Sequence, residues 1–489
     1  MYGSHHTTSR SGARRSLGAL LVTFALATAA CASSDDDAST TEGATPAETD
    51  ASAEATVETD PPAETESTDT EAPDTEAPAT EAPDTEPEGE EPAVTEAPAD
   101  GGTGEWTSAF PDLAPPTGDE MVVGLVNSEG SPGLDFPDVR NFTQATVDYL
   151  NEHGGFGDRP VKLETCATNG SPEGSQACAQ ELTGKNVEMV IIGLDVFVDY
   201  ATYEAAGTPL VGMLPILPTD NTANARFLTG GNSTTVGAMA AVVKDFFAAS
   251  KVAIVSADNA GANATEAALA AALDVAGVEH STVKGGDNET DAGFQGLMRQ
   301  AADSDPDVLI SLYADAGCIG TMRGRASLGI EIPVVTTAIC ADSDVIAEVG
   351  DDALGWHFVG IAGQQENAEL DILREILAPT IGVAPEEVDS TALGLGGLGL
   401  TTTLSIAGYA NLMVEAGEEV TGPGIFDFIA EGEGLTYWPG DTDIECGAAE
   451  GYSAICAYTF PVATYDVSGE VVTVEGLEKV SSIPYLPAI

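Results

Sequence analysis

From residue 121 onward, short and continuously apolar runs alternate with stretches of helical period, and this alternation constrains the fold more than any other feature. The runs 121–127, 187–193, 209–213, 251–256 and 307–313 carry apolar side chains at successive positions, which suits strands buried on both faces. A further strand is predicted over 160–165. Between these strands fall helical patterns over 138–153, through Cys178, and over 198–206, the first closed by Gly154-Gly155. A second series opens with a helix over 236–250 and the strand 251–256. It continues with helices over 265–276, over 292–302 and up to residue 328, and strands over 280–284, 307–313, 332–336 and 356–360. Strands alternating with helices in this way predict an α/β chain with parallel sheets covered on both sides, and two series predict two doubly wound domains. Helical pattern returns at 368–377 and 401–416. The tail 454–474 is strand-like with a turn at Ser468-Gly469, and these late pieces are expected to rejoin one domain or the other.

Charge divides the chain differently. The 489 residues hold 80 acids against 16 bases, a net charge of −64. Such acidity excludes the counterion-release route to nucleic acid and loose docking on anionic headgroups. Residues 1–30 carry Arg10, Arg14 and Arg15, whereas the stretch after Cys31 up to residue 105 has no base and is built from Thr, Glu, Ala, Pro, Asp and Ser. Thr-Glu-Ala-Pro recurs at 70–73, 75–78, 80–83 and 95–98. With few apolar groups and mutually repelling charges, 31–105 reads as a disordered acidic tether, reaching at most roughly 230 Å if wholly polyproline-like. The folded part is still strongly acidic and has little Lys, which suits solubility at raised salt.

The three arginines followed by an apolar stretch over 17–30 read as a secretion signal too short to span a bilayer comfortably. Thr28, Ala29 and Ala30 before Cys31 resemble a bacterial lipoprotein signal, although the usual Leu three residues before the Cys is Thr28 here. That resemblance implies lipidation at Cys31, with residues 1–30 removed. Six cysteines remain: Cys166, Cys178, Cys318, Cys340, Cys446 and Cys456. An even number behind an export signal favours disulfides, and the spacings of 12, 22 and 10 suggest sequential local bridges among the 15 possible pairings. No Cys-x-x-Cys and no His at ligand spacing points to a metal.

Several segments together resemble the type I periplasmic solute-binding proteins of ABC importers, in the branched-chain amino acid receptor group. They are Val-Gly-Leu-Val-Asn at 123–127, the helix end and turn at 148–160, Val-Ile-Ile-Gly at 190–193, Thr-Pro-Leu-Val at 208–211, Asp-Ala-Gly-Phe at 291–294 and Asp-Pro-Asp-Val at 305–308. The likeness runs in order over roughly 119–475. It implies two α/β lobes joined by a hinge, the first from 119–235 and 361–455, the second from 236–360 and 456–480, closing on a small solute. The rule that open α/β sheets bind ligands beyond their strands' carboxyl ends points to the same loops.

The expected cleft residues are Ser128 and Glu129 after the first strand; Gly193, Leu194 and Asp195 after the third; and Leu214 and Ile216 after the fourth. Opposite them are expected Asp258 and Asn259, Tyr313 and Asp315, and Thr336 and Thr337. Two of these acids, Asp195 and Asp258, also suit capping of the helices that follow. Amino-acid receptors of the family hold the ligand's α-carboxylate with hydroxyls and its α-ammonium with a Tyr and an acid. This chain has Leu214 and Ile216 in the first place, and Ala260 and Ala338 in the second, which points to a less charged or more apolar solute. Phe197, Tyr200, Tyr203, Tyr313, Trp356 and Trp438 are candidate stacking residues.

Gly394 to Gly399 satisfies G-x-G-x-x-G but follows no apolar strand, so it reads as a glycine-rich approach to a helix rather than a dinucleotide site. No catalytic constellation is present, and His153, His280 and His357 lack recognisable partners. The reading is a monomeric receptor, not an enzyme, without cofactor. It is held by lipid to the outer face of the cytoplasmic membrane, and its partners are a small solute and the permease subunits of an importer. A sensor or scavenger of the same fold is the alternative.

Overall fold

A computed structural model describes residues 109–131, 134–314, 316–363, 367–388, 393–440 and 442–488, apart from the side chain of Ala260. The signal, Cys31, the tether and Asp315 lie outside the described residues. The strands are β1 Met121–Asn127, β2 Val161–Ala167, β3 Met189–Ile192, β4 Leu210–Gly212, β5 Arg226–Phe227, β6 Lys251–Ala257, β7 Glu279–Gly285, β8 Val308–Leu312, β9 Val334–Thr337 and β10 Trp356–Val359. They continue with β11 Leu435–Tyr437, β12 Thr442–Ile444, β13 Thr459–Phe460, β14 Val462–Tyr465, β15 Val471–Thr473 and β16 Val480–Ser481. The helices are α1 Pro137–Leu150, α2 Pro172–Gly184, α3 Tyr200–Ala206, α4 Gly231–Ala241, α5 Ala260–Ala276, α6 Asp291–Ala302, α7 Ala316–Ser327, α8 Ser343–Val349, α9 Ala368–Ile381, α10 Gly397–Ala416 and α11 Gly422–Glu431.

Two parallel sheets carry the molecule. The first runs β2-β1-β3-β4-β5, parallel throughout. The second runs β15-β14-β10-β9-β8-β6-β7; it is parallel from β7 to β10 and is extended by the antiparallel strands β14 and β15. The continuous apolar strands follow from burial on both faces. On β1 and β3, Val123, Leu125 and Ile191 enter one core, while Val126, Val190 and Ile192 enter the core on the opposite face. The second sheet repeats this, with Val252, Ile254 and Ile310 on one side and Ala253, Val255 and Leu309 on the other. Helices α9, α10 and α11 contribute Ile376, Leu404 and Ile425 to the first sheet's core, and the tail gives Phe460 and Val462 to the second's.

Local chemistry sets the element ends. Ser171 caps α2 by accepting from the Gly174 amide at 3.0 Å, with Pro172 at the first helical position. Asn259 caps α5 by accepting from the Ala262 amide at 2.8 Å, so that helix starts five residues before the expected position. Helix α4 likewise begins at Gly231 and continues into a π-turn, Val242–Phe246. The β11–β12 hairpin, the two-residue β5 and helix α11 have no counterpart in the expected pattern. The G-x-G-x-x-G segment forms a 3-10 turn, Gly394–Gly396, and the first turn of α10. Its glycines permit close packing against α1: a β-carbon on Gly399 would stand 2.4 Å from the Val139 carbonyl oxygen.

All six cysteines pair sequentially, as Cys166–Cys178, Cys318–Cys340 and Cys446–Cys456. The first ties β2 to α2, and the second ties the start of α7 to the turn after β9. Among the described residues no helix is long and apolar enough to cross a membrane.

Candidate functional site

The chain leaves the first sheet at the carboxyl end of β5 and enters α4 within a few residues. It leaves the second sheet at the carboxyl end of β10, and the next helix, α9, lies back in the first sheet's core. A third crossing, 454–460, adheres to both. The Phe227 amide donates to the Ala454 carbonyl at 2.8 Å and the Cys456 amide to the Phe227 carbonyl at 2.9 Å, while Thr234 Oγ1 donates to the Ala457 carbonyl and the Gly360 amide to the Pro461 carbonyl. Because short crossings join carboxyl end to carboxyl end, the loops beyond β1, β3 and β4 and those beyond β6, β8 and β9 border one interlobe space. The fold therefore makes its cleft where general rules of open α/β sheets place ligands.

The first-lobe loops are fixed from beneath. Asn127, 1% exposed at the end of β1, accepts from the Leu194 amide at 3.0 Å and donates to the Phe136 carbonyl at 2.8 Å and to Glu129 Oε1 at 3.2 Å. Glu129 in turn accepts from Arg140 Nε at 3.0 Å on both oxygens, so its carboxylate is already paired. Gly193 is required here, since a β-carbon would lie 2.7 Å from Asn127 Oδ1.

Behind these loops, the Asp195 carboxyl is almost fully buried. Its Oδ1 accepts from Ser175 Oγ at 2.8 Å, the Phe197 amide at 3.2 Å and Thr168 Oγ1 at 3.3 Å, whereas Oδ2 has no partner. Desolvation raises its pKa, against those three bonds. Ser128 is buried and its hydroxyl meets Thr168 Oγ1 at 3.2 Å. After β4, buried Asp220 accepts from the Ile216 and Leu217 amides at 2.8 and 2.7 Å on Oδ2, and from the Tyr200 hydroxyl at 2.8 Å on Oδ1. A carboxylate of the protein thus occupies this pair of amides.

In the second lobe Asp258 is exposed and accepts from Asn263 Nδ2 at 3.3 Å. Asn259 caps α5 and donates to Asp287 Oδ1 at 2.6 Å; the capping role expected of Asp258 falls to its neighbour. At the third strand, α3 is capped by Asp199 rather than Asp195. Tyr313 packs edge-on against Phe294 with its hydroxyl buried and without a partner. That hydroxyl is 3.0 Å from where a β-carbon on Gly285 would sit, which places it at the carboxyl end of β7.

Like Ser128 and Asp195, two further expected cleft residues are buried. Leu194 is 1% exposed and packs in the first-lobe core. Thr336 is fully buried and donates to the Ser311 carbonyl at 2.9 Å. Thr336 is the third of the four residues of β9, still within the ladder, and Leu194 lies two residues beyond β3. Leu214 and Ile216 are half-buried against the first-lobe core, and Thr337 is half-buried at the end of β9. Of the candidate stacking residues, Tyr203, Tyr313, Trp356 and Trp438 belong to the cores, whereas Phe197 is 37% exposed on the loop after β3. Ile339, 56% exposed just beyond β9, was missed; an apolar residue one turn past a strand carries no sequence signal of its own exposure. Asn127 and Asp220 were missed because their roles depend on backbone groups distant in sequence or on a turn without periodicity.

Two surface concavities lie away from this space. One, of about 440 Å³, involves Arg159, Glu188 and Glu419 at the amino ends of the first sheet; the other, of about 350 Å³, runs between α6 and α7. No group of His, Cys, Asp and Glu among the described residues is arranged to hold a metal ion.

Comparison with known proteins agrees with this geometry. A family model described as "periplasmic binding protein" matches residues 121–378, more than half of the chain. Among solved structures, a putative branched-chain amino acid ABC transporter from Rhodospirillum rubrum superposes with a TM-score of 0.58 at 14% identity, covering 73% of this chain and 100% of that one. An ABC transporter substrate-binding protein from Sphaerobacter thermophilus gives 0.56 at 16% identity, covering 75% and 100%. A solute binding protein of an ABC transporter from Rhodopseudomonas palustris BisB5, in complex with 3,4-dihydroxybenzoic acid, gives 0.51 at 15% identity, covering 74% and 98%. No curated protein sequence matches the chain.

Proposed function

Because the chain belongs to the periplasmic binding protein family, we propose that it is an extracytoplasmic receptor, lipid-anchored through Cys31, that closes its two lobes on a small organic solute and delivers it to the permease of an ABC importer. The observation that carries this reading is the meeting of both sheets' carboxyl ends at three short crossings, which gives a hinge and two facing loop sets. Ligand favours closure because only the closed form lets both lobes touch it at once. On this reading Leu214 and Ile216 meet the solute from the first lobe, and Asp258, Tyr313 and Thr337 from the second. Residues 31–105 serve as a spacer that keeps the lobes clear of the bilayer.

Small-angle scattering of the full chain with and without a bound solute tests the receptor role. Closure should shorten the radius of gyration of the folded part, and a solute that binds without any such change would count against a clamp. Lipidation is tested separately by fatty-acid labelling, which should disappear in Cys31→Ala. Label retained in that variant would remove Cys31 from the proposal.

A further inference from the structure

The charge and exposure of the cleft loops carry the receptor reading further, to the class of solute. Every loop after β1, β3 and β4, and after each of β6 to β10, holds at least one acid, and none holds Lys or Arg. Of the basic residues nearest these loops, Arg226 at the start of β5 lies over the Phe426 ring on α11 at 4.3 Å, and two others are paired. Arg140 is engaged by Glu129, and Lys284 on the edge strand β7 is engaged by Glu266 at 3.1 Å and Asn263 at 2.7 Å. The amide pair at Ile216 and Leu217 is filled by Asp220. A carboxylate entering here would find no Lys or Arg on the loops, a filled amide pair and the buried carboxyls Asp195 and Asp220 behind it. It would have to be stripped of water with little in return.

An organic cation meets the opposite conditions. Acid-lined clefts concentrate cations and speed their entry. Asp258 is exposed on the second-lobe rim, beside Asp287 and Glu289 on the loop after β7. Independently of the acids, Tyr313 is 95% buried at the carboxyl ends of β7 and β8 and its hydroxyl lacks a partner, so an acceptor stands ready for a donor N–H. The loops also present bare hydrocarbon, Phe197 from the first lobe and Ile339 from the second.

We propose that the cleft takes an organic cation with an apolar body and no carboxylate, its charged nitrogen held on the second-lobe side among Asp258, Asp287 and Tyr313 and its apolar part between Phe197 and Ile339. This rests on the receptor reading above. It departs from an amino-acid pose, in which a first-lobe anion site is needed.

The test is calorimetric titration of the full, disulfide-intact chain with charge-matched probe sets. Phenethylammonium, butylammonium and tetraethylammonium would be compared with 3-phenylpropionate and valerate, with the zwitterions phenylalanine and leucine, and with neutral 3-phenylpropanamide. A cation should bind at least tenfold more tightly than its matched carboxylate and zwitterion, and its affinity should fall as salt is raised. Both informative variants are at exposed positions, and circular dichroism checks that each is folded. Asp258→Asn should weaken the cation about two- to fivefold and leave the neutral amide unchanged, as for a solvent-screened pair. Ile339→Ser should weaken cation and amide alike by about fivefold. Tighter binding of a carboxylate or a zwitterion would overturn the cation assignment while leaving the receptor standing. Binding of no probe, with scattering unchanged throughout, would overturn both the assignment and the receptor reading beneath it.

Discussion

Asn127 is the residue on which the first-lobe wall of the cleft is expected to depend. Its side chain is buried, contacts no expected ligand atom and joins the ends of β1 and β3 through Leu194. Asn127→Ala removes the acceptor of the Leu194 amide in a place water does not reach, since Leu194 is 1% exposed. Stranding one buried N–H costs about 1–3 kcal/mol, and the bond lost to the Phe136 carbonyl adds about 0.5–1.5 kcal/mol, so the expected loss is about 2–4 kcal/mol. Asn127→Asp is the sharper probe. It keeps an acceptor for Leu194 but turns a second oxygen toward the Phe136 carbonyl and the Glu129 carboxylate, where Nδ2 had donated. Repulsion and burial disfavour the ionised form, so the folded-state pKa of the new carboxyl lies above its unfolded value. Its penalty is then absent below the unfolded pKa of about 3.9 and complete above the folded one. Urea denaturation by far-ultraviolet circular dichroism should show Asn127→Asp nearly as stable as the parent near pH 4 and markedly weaker at pH 7. Hydrogen exchange should place the loosening at residues 193–199. An Asn127→Ala loss under about 1 kcal/mol with an unchanged denaturant slope, or a pH-independent Asn127→Asp defect, would refute the assigned role.

Further outcomes follow from the same contacts. Burial raises the Asp195 pKa in the folded protein, so this carboxyl should lower stability progressively as pH rises above its unfolded value; the difference in unfolding free energy between Asp195→Asn and the parent should move in the variant's favour from about pH 4 upward. A flat difference curve would show that the group is not held at a raised pKa. Gly399→Ala should destabilise by about 1–3 kcal/mol because the added carbon meets the Val139 carbonyl, whereas Gly296→Ala on α6, with open space around it, should stabilise by roughly 0.8–1 kcal/mol; thermal melts of the pair check both. Replacing Cys318 and Cys340 together by Ser should cost about 3 kcal/mol from loop entropy over their 22-residue separation, read from denaturant midpoints under non-reducing conditions.

The parts of the molecule legible in the sequence are those governed by short-range periodicity. β1, β3, β6 and β8 are apolar at most successive positions because their side chains land in one of two cores, so their runs announced a parallel sheet without reference to partners. The three disulfides were legible for a related reason: each closes a short local loop. Helix starts were misplaced where small residues blur the period, as in α4, whose first six residues are Gly, Asn, Ser, Thr, Thr and Val, and in α5, whose start is fixed by Asn259 rather than by an apolar stripe.

The cleft was legible only to the level of which loops border it. Thr336 and Leu194 look alike in sequence to the residues that do face outward; Thr336 is still paired within β9, opposite Phe358, and Leu194 lies two residues past the last paired residue of β3. Asp220 shows the deeper reason. Its carboxylate fills amides three and four residues before it in a turn with no periodic signature. On the proposed reading, that occupation changes what the cleft can accept, because it closes two amides to an anion. Specificity in such a receptor is therefore set as much by protein groups that fill backbone donors as by side chains that point at the solute. Asp220→Asn separates the two contributions: Oδ1 can still accept from Tyr200 and Oδ2 becomes an amide nitrogen that cannot accept from Ile216 and Leu217. Affinity for 3-phenylpropionate should rise at least fivefold while that for phenethylammonium falls. If both affinities stay unchanged, Asp220 shapes the turn and has no part in choosing the ligand's charge.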